Sequence, residues 1–134
     1  MGRIAYTEGY KYQLAKDYET RIPIFPRDHI STEYVILSAS GDLIIKRGYA
    51  WDGPSGPTVD TKNFMRGSLV HDALYQLIRE GHLDCKDRAD ALLRQMCLED
   101  GMSDIRAWWV YKGVQGFGKG ATLPSAIKPI LYAP

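Results

Sequence analysis

Up to Trp51 the apolar positions tend to alternate with polar ones, whereas from about Thr61 they recur every three to four residues. This change of period predicts strands first and helices after. Tyr-rich alternation places short strands at Tyr10–Leu14 and Thr20–Ile24, with Pro23 and Pro26 keeping the latter at a sheet edge. The β-branched and aromatic runs Glu33–Leu37 and Leu43–Trp51 flank Ser38-Ala39-Ser40-Gly41-Asp42 and predict a hairpin, with a glycine where the turn wants positive φ.

Phe64, Met65, Leu69, Val70, Leu74, Leu77 and Ile78 fall at helical spacing, with Asp60 or Thr61 as the starting cap and Gly81 as the stop. A second helix is expected over Lys86–Glu99, with Ala89, Leu92, Leu93 and Met96 as its apolar stripe. The short link between the two makes them antiparallel neighbours. Ser103 caps a third helix bearing Ile105, Trp108, Trp109 and Val110, and the Gly/Pro-rich stretch from Gly113 onward is expected to be irregular. The predicted architecture is an α+β single domain: an antiparallel sheet of about four strands with its loop (1–57), a helical part (58–112) and an irregular tail (113–134).

Composition narrows the function classes. The 134 residues suit one compact core, and 17 basic against 16 acidic residues leave a net charge of +1, which gives no footprint for nucleic acid. Cys85 and Cys97 lie too far apart along one helix for a disulfide, so both are expected as free thiols. The start of the chain lacks the apolar core of a secretory signal, and no apolar run is long enough for a transmembrane segment. A soluble protein is the resulting expectation.

Candidate chemistry concentrates between Tyr49 and Tyr75. A loop, Asp52-Gly53-Pro54-Ser55-Gly56-Pro57, runs into the first helix, which carries adjacent His71 and Asp72 with Tyr75 one turn on. His71 and Tyr75 share a face with Phe64, Ser68 and Ile78, while Asp72 points about 100° away. A neutral imidazole can take a proton from water near pH 7 if its other nitrogen is held, and Asp90, flanking the stripe of the second helix, is the leading holder. Asp72 with loop carbonyls makes an oxygen-rich environment suited to calcium, which would polarise an ester carbonyl. Each residue also has a plainer role: His71 as a hydrogen-bonded structural histidine, the loop as a capped turn, and Asp90 as a solvated partner of Arg94 at i+4.

His71-Asp72-Ala73-Leu74-Tyr75 resembles the His-Asp-x-x-Tyr signature of secreted and viral phospholipase A2 enzymes, and Arg88-Ala89-Asp90 through Met96 resembles the segment giving their prokaryotic members a second Asp. The resemblance covers residues 49 to 100. It implies His71 as the base, Asp90 orienting it, Tyr75 hydrogen-bonded to Asp90, and Asp72 binding calcium with carbonyls near Trp51, Gly53 and Ser55. More of the chain resembles an uncharacterised family of short phage and prophage proteins with a DGxSxP loop, an HDxLY helix and a later Ala-Asp pair, here Asp52–Pro57, His71–Tyr75 and Ala89-Asp90. That likeness implies a phage origin.

Two functions follow as expectations. One is a calcium-dependent hydrolase of phospholipid or another ester. The other is a non-enzymatic phage structural protein, a tail or baseplate accessory contacting other virion proteins; a small inhibitor of host defence is a third possibility. Trp108-Trp109-Val110-Tyr111-Lys112 reads either as an interfacial anchor or as core and contact rings. Gly116-Phe117-Gly118-Lys119-Gly120 lacks the strand and helix that frame a phosphate loop, and His29 and His82 are expected at the surface.

Overall fold

The computed structural model of the chain describes residues 6–7, 12–51 and 61–121. They fall into two compact units, one carrying the strands and the other the helices. The mixed α+β class expected from the change of period is the class observed.

In the strand unit, β1 (Tyr6–Thr7), β2 (Tyr12–Leu14) and β7 (Ala50–Trp51) form a three-stranded antiparallel sheet in the order β1-β2-β7. A four-stranded antiparallel sheet is built from β3 (Tyr18–Arg21), β4 (Ile30–Ser31), β5 (Val35–Leu37) and β6 (Asp42–Ile45), in the order β3-β6-β5-β4. The expected hairpin is β5-β6. Its register pairs Val35 with Ile45 and Leu37 with Leu43, and all four side chains are fully buried, so one face of the pleat supplies the core. Gly41 turns the hairpin at φ +92°, and a Cβ there would stand 2.4 Å from the Ile22 carbonyl oxygen, so only glycine fits.

Two boundaries differ from the sequence reading. The strand expected over Leu43–Trp51 is broken: the chain turns at Lys46–Tyr49, with Gly48 at φ +96° and Tyr49 N–H donating to the Lys46 carbonyl, and passes from one sheet to the other. Asp17 accepts from the Arg47 backbone N–H at 2.7 Å and pins that turn. The strand expected over Thr20–Ile24 instead spans Tyr18–Arg21 and ends before Pro23, whose missing N–H cannot continue a ladder; β3 does lie at a sheet edge.

The helical unit opens with a 3-10 turn (Thr61–Asn63), then α1 (Met65–Arg79), α2 (Lys86–Glu99) and α3 (Asp104–Ala121). Thr61 does not cap α1: Phe64 holds the cap position with no side-chain hydrogen bond, because the preceding turn already orders the entry, and Asp60 lies outside the described residues. Gly81 at φ +84° ends the helix as expected, with the His82 N–H returning to the Leu77 carbonyl at 2.8 Å. The bounds of α2 are those the apolar stripe gave. α1 meets α2 at Gly67, where a Cβ would lie 3.0 Å from Leu93 Cδ1 and 3.3 Å from Cys97 Sγ. Two charged contacts also tie them, from Arg66 to Glu99 at 2.8 Å and to Asp100 at 3.0 Å.

Ser103 caps α3 as expected, its hydroxyl accepting from the Arg106 N–H at 3.3 Å. The helix does not stop at Gly113 but runs to Ala121. Packing carries the helix past Gly113: Ala107, Val110 and Val114 lie against a cluster of Phe64, Leu93, Cys97 and Met102, and this burial outweighs the poor helix propensity of that glycine. The remaining tail residues, 122–134, lie outside the described residues. Among the described residues no helix is long and apolar enough to cross a membrane.

Candidate functional site

α1 and α2 carry the site between them. The helical period puts His71 and Tyr75 on one face of α1, with ring centroids 4.0 Å apart, and the antiparallel pairing of the helices brings Asp90 to that face. Nε2 of His71 lies 2.8 Å from Oδ1 of Asp90, and the Tyr75 hydroxyl donates to the same oxygen. The second carboxylate oxygen, Oδ2, accepts from Lys86 Nζ at 2.6 Å. Asp90 is completely buried and His71 nearly so, which removes water as a competing partner and strengthens each of these bonds.

The electrostatics follow from this placement. Burial alone would push the Asp90 carboxyl up, but donation from His71, Lys86 and Tyr75 holds it below the usual carboxylate range. Asp90 is therefore ionised and can only accept. Burial pushes the Tyr75 hydroxyl well above the ordinary phenol value, and the Asp90 carboxylate adds to that rise, so Tyr75 remains a donor. Burial pushes the His71 imidazole down, yet the carboxylates of Asp72 and Asp90 outweigh it, and the net position is above the ordinary 6.5.

Asp72 stands apart from this cluster. Its Oδ1 is 3.9 Å from His71 Nδ1, beyond hydrogen-bonding distance, so it acts on the ring through its charge. Its side chain is partly exposed, as expected for a residue turned away from the face that meets α2. Trp51 lies buried in β7 of the strand unit, its ring stacked on Tyr49 and tilted against Tyr12. Gly53 and Ser55, with the rest of Asp52–Pro57, lie outside the described residues. Among the described residues no group of three or more His, Cys, Asp or Glu side chains could hold a metal ion; Asp72 is a partly exposed carboxylate beside His71.

The alternative of a solvated Asp90 paired with Arg94 is excluded by its burial and by its three partners; Arg94 instead lies over the Tyr111 ring, 5.7 Å from its centroid. Lys86 is the member that sequence reasoning missed. Its signal was present, since Lys86 and Asp90 are four apart on one helix, but Arg94 is equally distant on the other side, and only burial separates the two. His29 and His82 are exposed, as expected. Both cysteines are free, Cys97 fully buried and Cys85 partly so.

A buried acid holding one imidazole nitrogen, with the other nitrogen on the far side of the ring, is an arrangement able to accept a proton from water or to serve as a fixed structural bridge. No curated protein and no solved structure matches the chain. A family model described as "Protein of unknown function (DUF1353)" matches residues 29–114, well over half of the sequence and including His71, Tyr75, Lys86 and Asp90, and the chain belongs to that family.

Proposed function

We propose that this chain is a phage-encoded hydrolase of phospholipids or related esters, in which His71 takes a proton from the attacking water. The observation that carries the reading is the 2.8 Å bond from His71 Nε2 to a fully buried, ionised Asp90. With its hydrogen on Nε2, the imidazole keeps a lone pair on Nδ1, which meets no hydrogen-bonding group among the described residues at closer than the 3.9 Å to Asp72. Tyr75 fixes the carboxylate that fixes the ring. The likeness of His71–Tyr75 to the phospholipase A2 signature supports the substrate class, and the Asp52–Pro57 and Ala89-Asp90 motifs support the phage origin.

Calcium is part of the proposal. Asp72 would supply its carboxylate, and the carbonyls near Gly53 and Ser55 would supply neutral oxygens. When bound, the ion would polarise the ester carbonyl.

The test is release of fatty acid from phospholipid vesicles, and of chromophore from a soluble ester, with and without calcium. His71→Ala should lower turnover by about 10²- to 10⁴-fold with the helices intact by circular dichroism. Asp72→Ala should abolish only the calcium-dependent part. Absence of turnover on both substrates in the wild type, with and without calcium, would rule the hydrolase out.

One observation favours a second reading, a non-enzymatic virion component. Ile105, Trp108 and Trp109 occupy one face of α3 at 71%, 40% and 65% exposure, a stripe suited to contact with another virion protein. Recovery of the protein in purified particles, together with an inactive wild type, would select it.

A further inference from the structure

Lys86 has no part in the hydrolase reading, yet it is placed as closely as any residue in the site. Its ammonium lies 2.6 Å from Asp90 Oδ2, 6.0 Å from the centre of the Tyr75 ring and 3.5 Å from the Val114 carbonyl oxygen of α3. Only 17% of its side chain is exposed. Among the described residues it is thus the lysine bonded to Asp90.

The two oxygens of Asp90 divide their partners. Oδ1 takes Tyr75 and His71, whereas Oδ2 takes Lys86. Because Asp90 is fully buried, removing the ammonium takes from Oδ2 the donor that offsets its desolvation. A buried carboxylate so stranded gains by binding a proton, and a protonated carboxyl can donate. With that proton carried on Oδ1, the oxygen that faces the ring, the carboxyl would donate to His71 Nε2 and the imidazole hydrogen would stand on Nδ1, which is the nitrogen that must be bare to accept a proton from water. Among the described residues, the other charged groups that act on His71 and Tyr75 include Asp72 on α1 and Asp87 on α2, both acidic, and neither can replace the lost cation.

We infer that Lys86 is a positioning residue: by holding Oδ2 of Asp90 it keeps that carboxylate an acceptor, and so fixes His71 with its hydrogen on Nε2 and its lone pair on Nδ1. The catalytic meaning of this rests on the hydrolase reading above, whereas the placement of the hydrogen does not.

The experiment is ¹⁵N–¹H correlation spectroscopy of the neutral His71 ring in the full-length protein, with the exposed His29 and His82 as internal controls. The wild type and Lys86→Arg should show the Nε2–H form. Lys86→Met and Lys86→Gln should shift His71 toward the Nδ1–H form, with turnover, where present, falling at least tenfold. A wild type in the Nδ1–H form overturns the inference without any variant, so failure of Lys86→Met to fold does not protect it. Folded Lys86→Met or Lys86→Gln protein that retains the wild-type form also overturns it. A shifted tautomer in a protein that hydrolyses nothing would uphold the role of Lys86 and sink only the hydrolase.

Discussion

Nε2 of His71 and Oδ1 of Asp90 stand 2.8 Å apart although the residues are 19 positions apart in the chain. The bond joins α1 to α2 through a carboxylate with no solvent contact, so its loss should be felt in folding as well as in any chemistry. Asp90→Ala leaves the Lys86 ammonium, the Tyr75 hydroxyl and the imidazole without their acceptor and should cost about 3–5 kcal/mol in urea unfolding. The double variant Lys86→Met/Asp90→Leu removes charge and partner together and should recover a large part of that loss.

Stability should depend on pH with two limbs. The folded His71 pKa is raised above 6.5, so its contribution is complete below that value and is lost as pH rises through the folded pKa. The folded Asp90 pKa is depressed below 3.8, so its contribution is present above that value and is lost as pH falls through the folded pKa. Unfolding free energy should therefore be greatest between the two limbs. His71→Gln should flatten the alkaline one while leaving the acid one, and urea titrations from about pH 3 to about pH 9 would read both.

The two thiols should differ in reactivity. Cys97 is fully buried, and burial with the Asp100 charge pushes its thiol up to about 12; Cys85 is raised by burial but partly exposed. Native protein treated with iodoacetamide near neutral pH should carry alkylation at Cys85 and none at Cys97, as read by peptide mass spectrometry. Rapid labelling of Cys97 without denaturant would contradict the packing of the helical unit.

Glycines in the helical unit should respond in opposite ways. Gly113 and Gly116 have open space where a Cβ would stand, so alanine at either should stabilise by about 0.5–1 kcal/mol through helix propensity alone. Gly67 faces Leu93 and Cys97, and leucine there should force α1 from α2 at a cost of about 1–3 kcal/mol or more. Thermal unfolding of the three variants against wild type is the measurement.

Much of this was legible before any coordinates. The period of the apolar residues named the hairpin and all three helices, and the spacing of His71 and Tyr75 put them on one face, because both follow from local backbone geometry. The sheet boundary at Gly48 was not legible, since nothing local distinguishes a strand that continues from one that turns into a second sheet. The extension of α3 through Gly113 was equally hidden, because packing against α2 overrides a propensity that pointed the other way.

The sequence by itself determined the types and order of the elements, the fixed bounds of α2 and the residues able to carry chemistry. Only the tertiary structure decided that Asp90 is sealed from water and that Lys86, not Arg94, is its cationic partner. The reason is that a carboxylate at mid-helix has a candidate cation one turn away on either side. Which of the two it meets depends on which faces inward, and that is set by neighbours far along the chain.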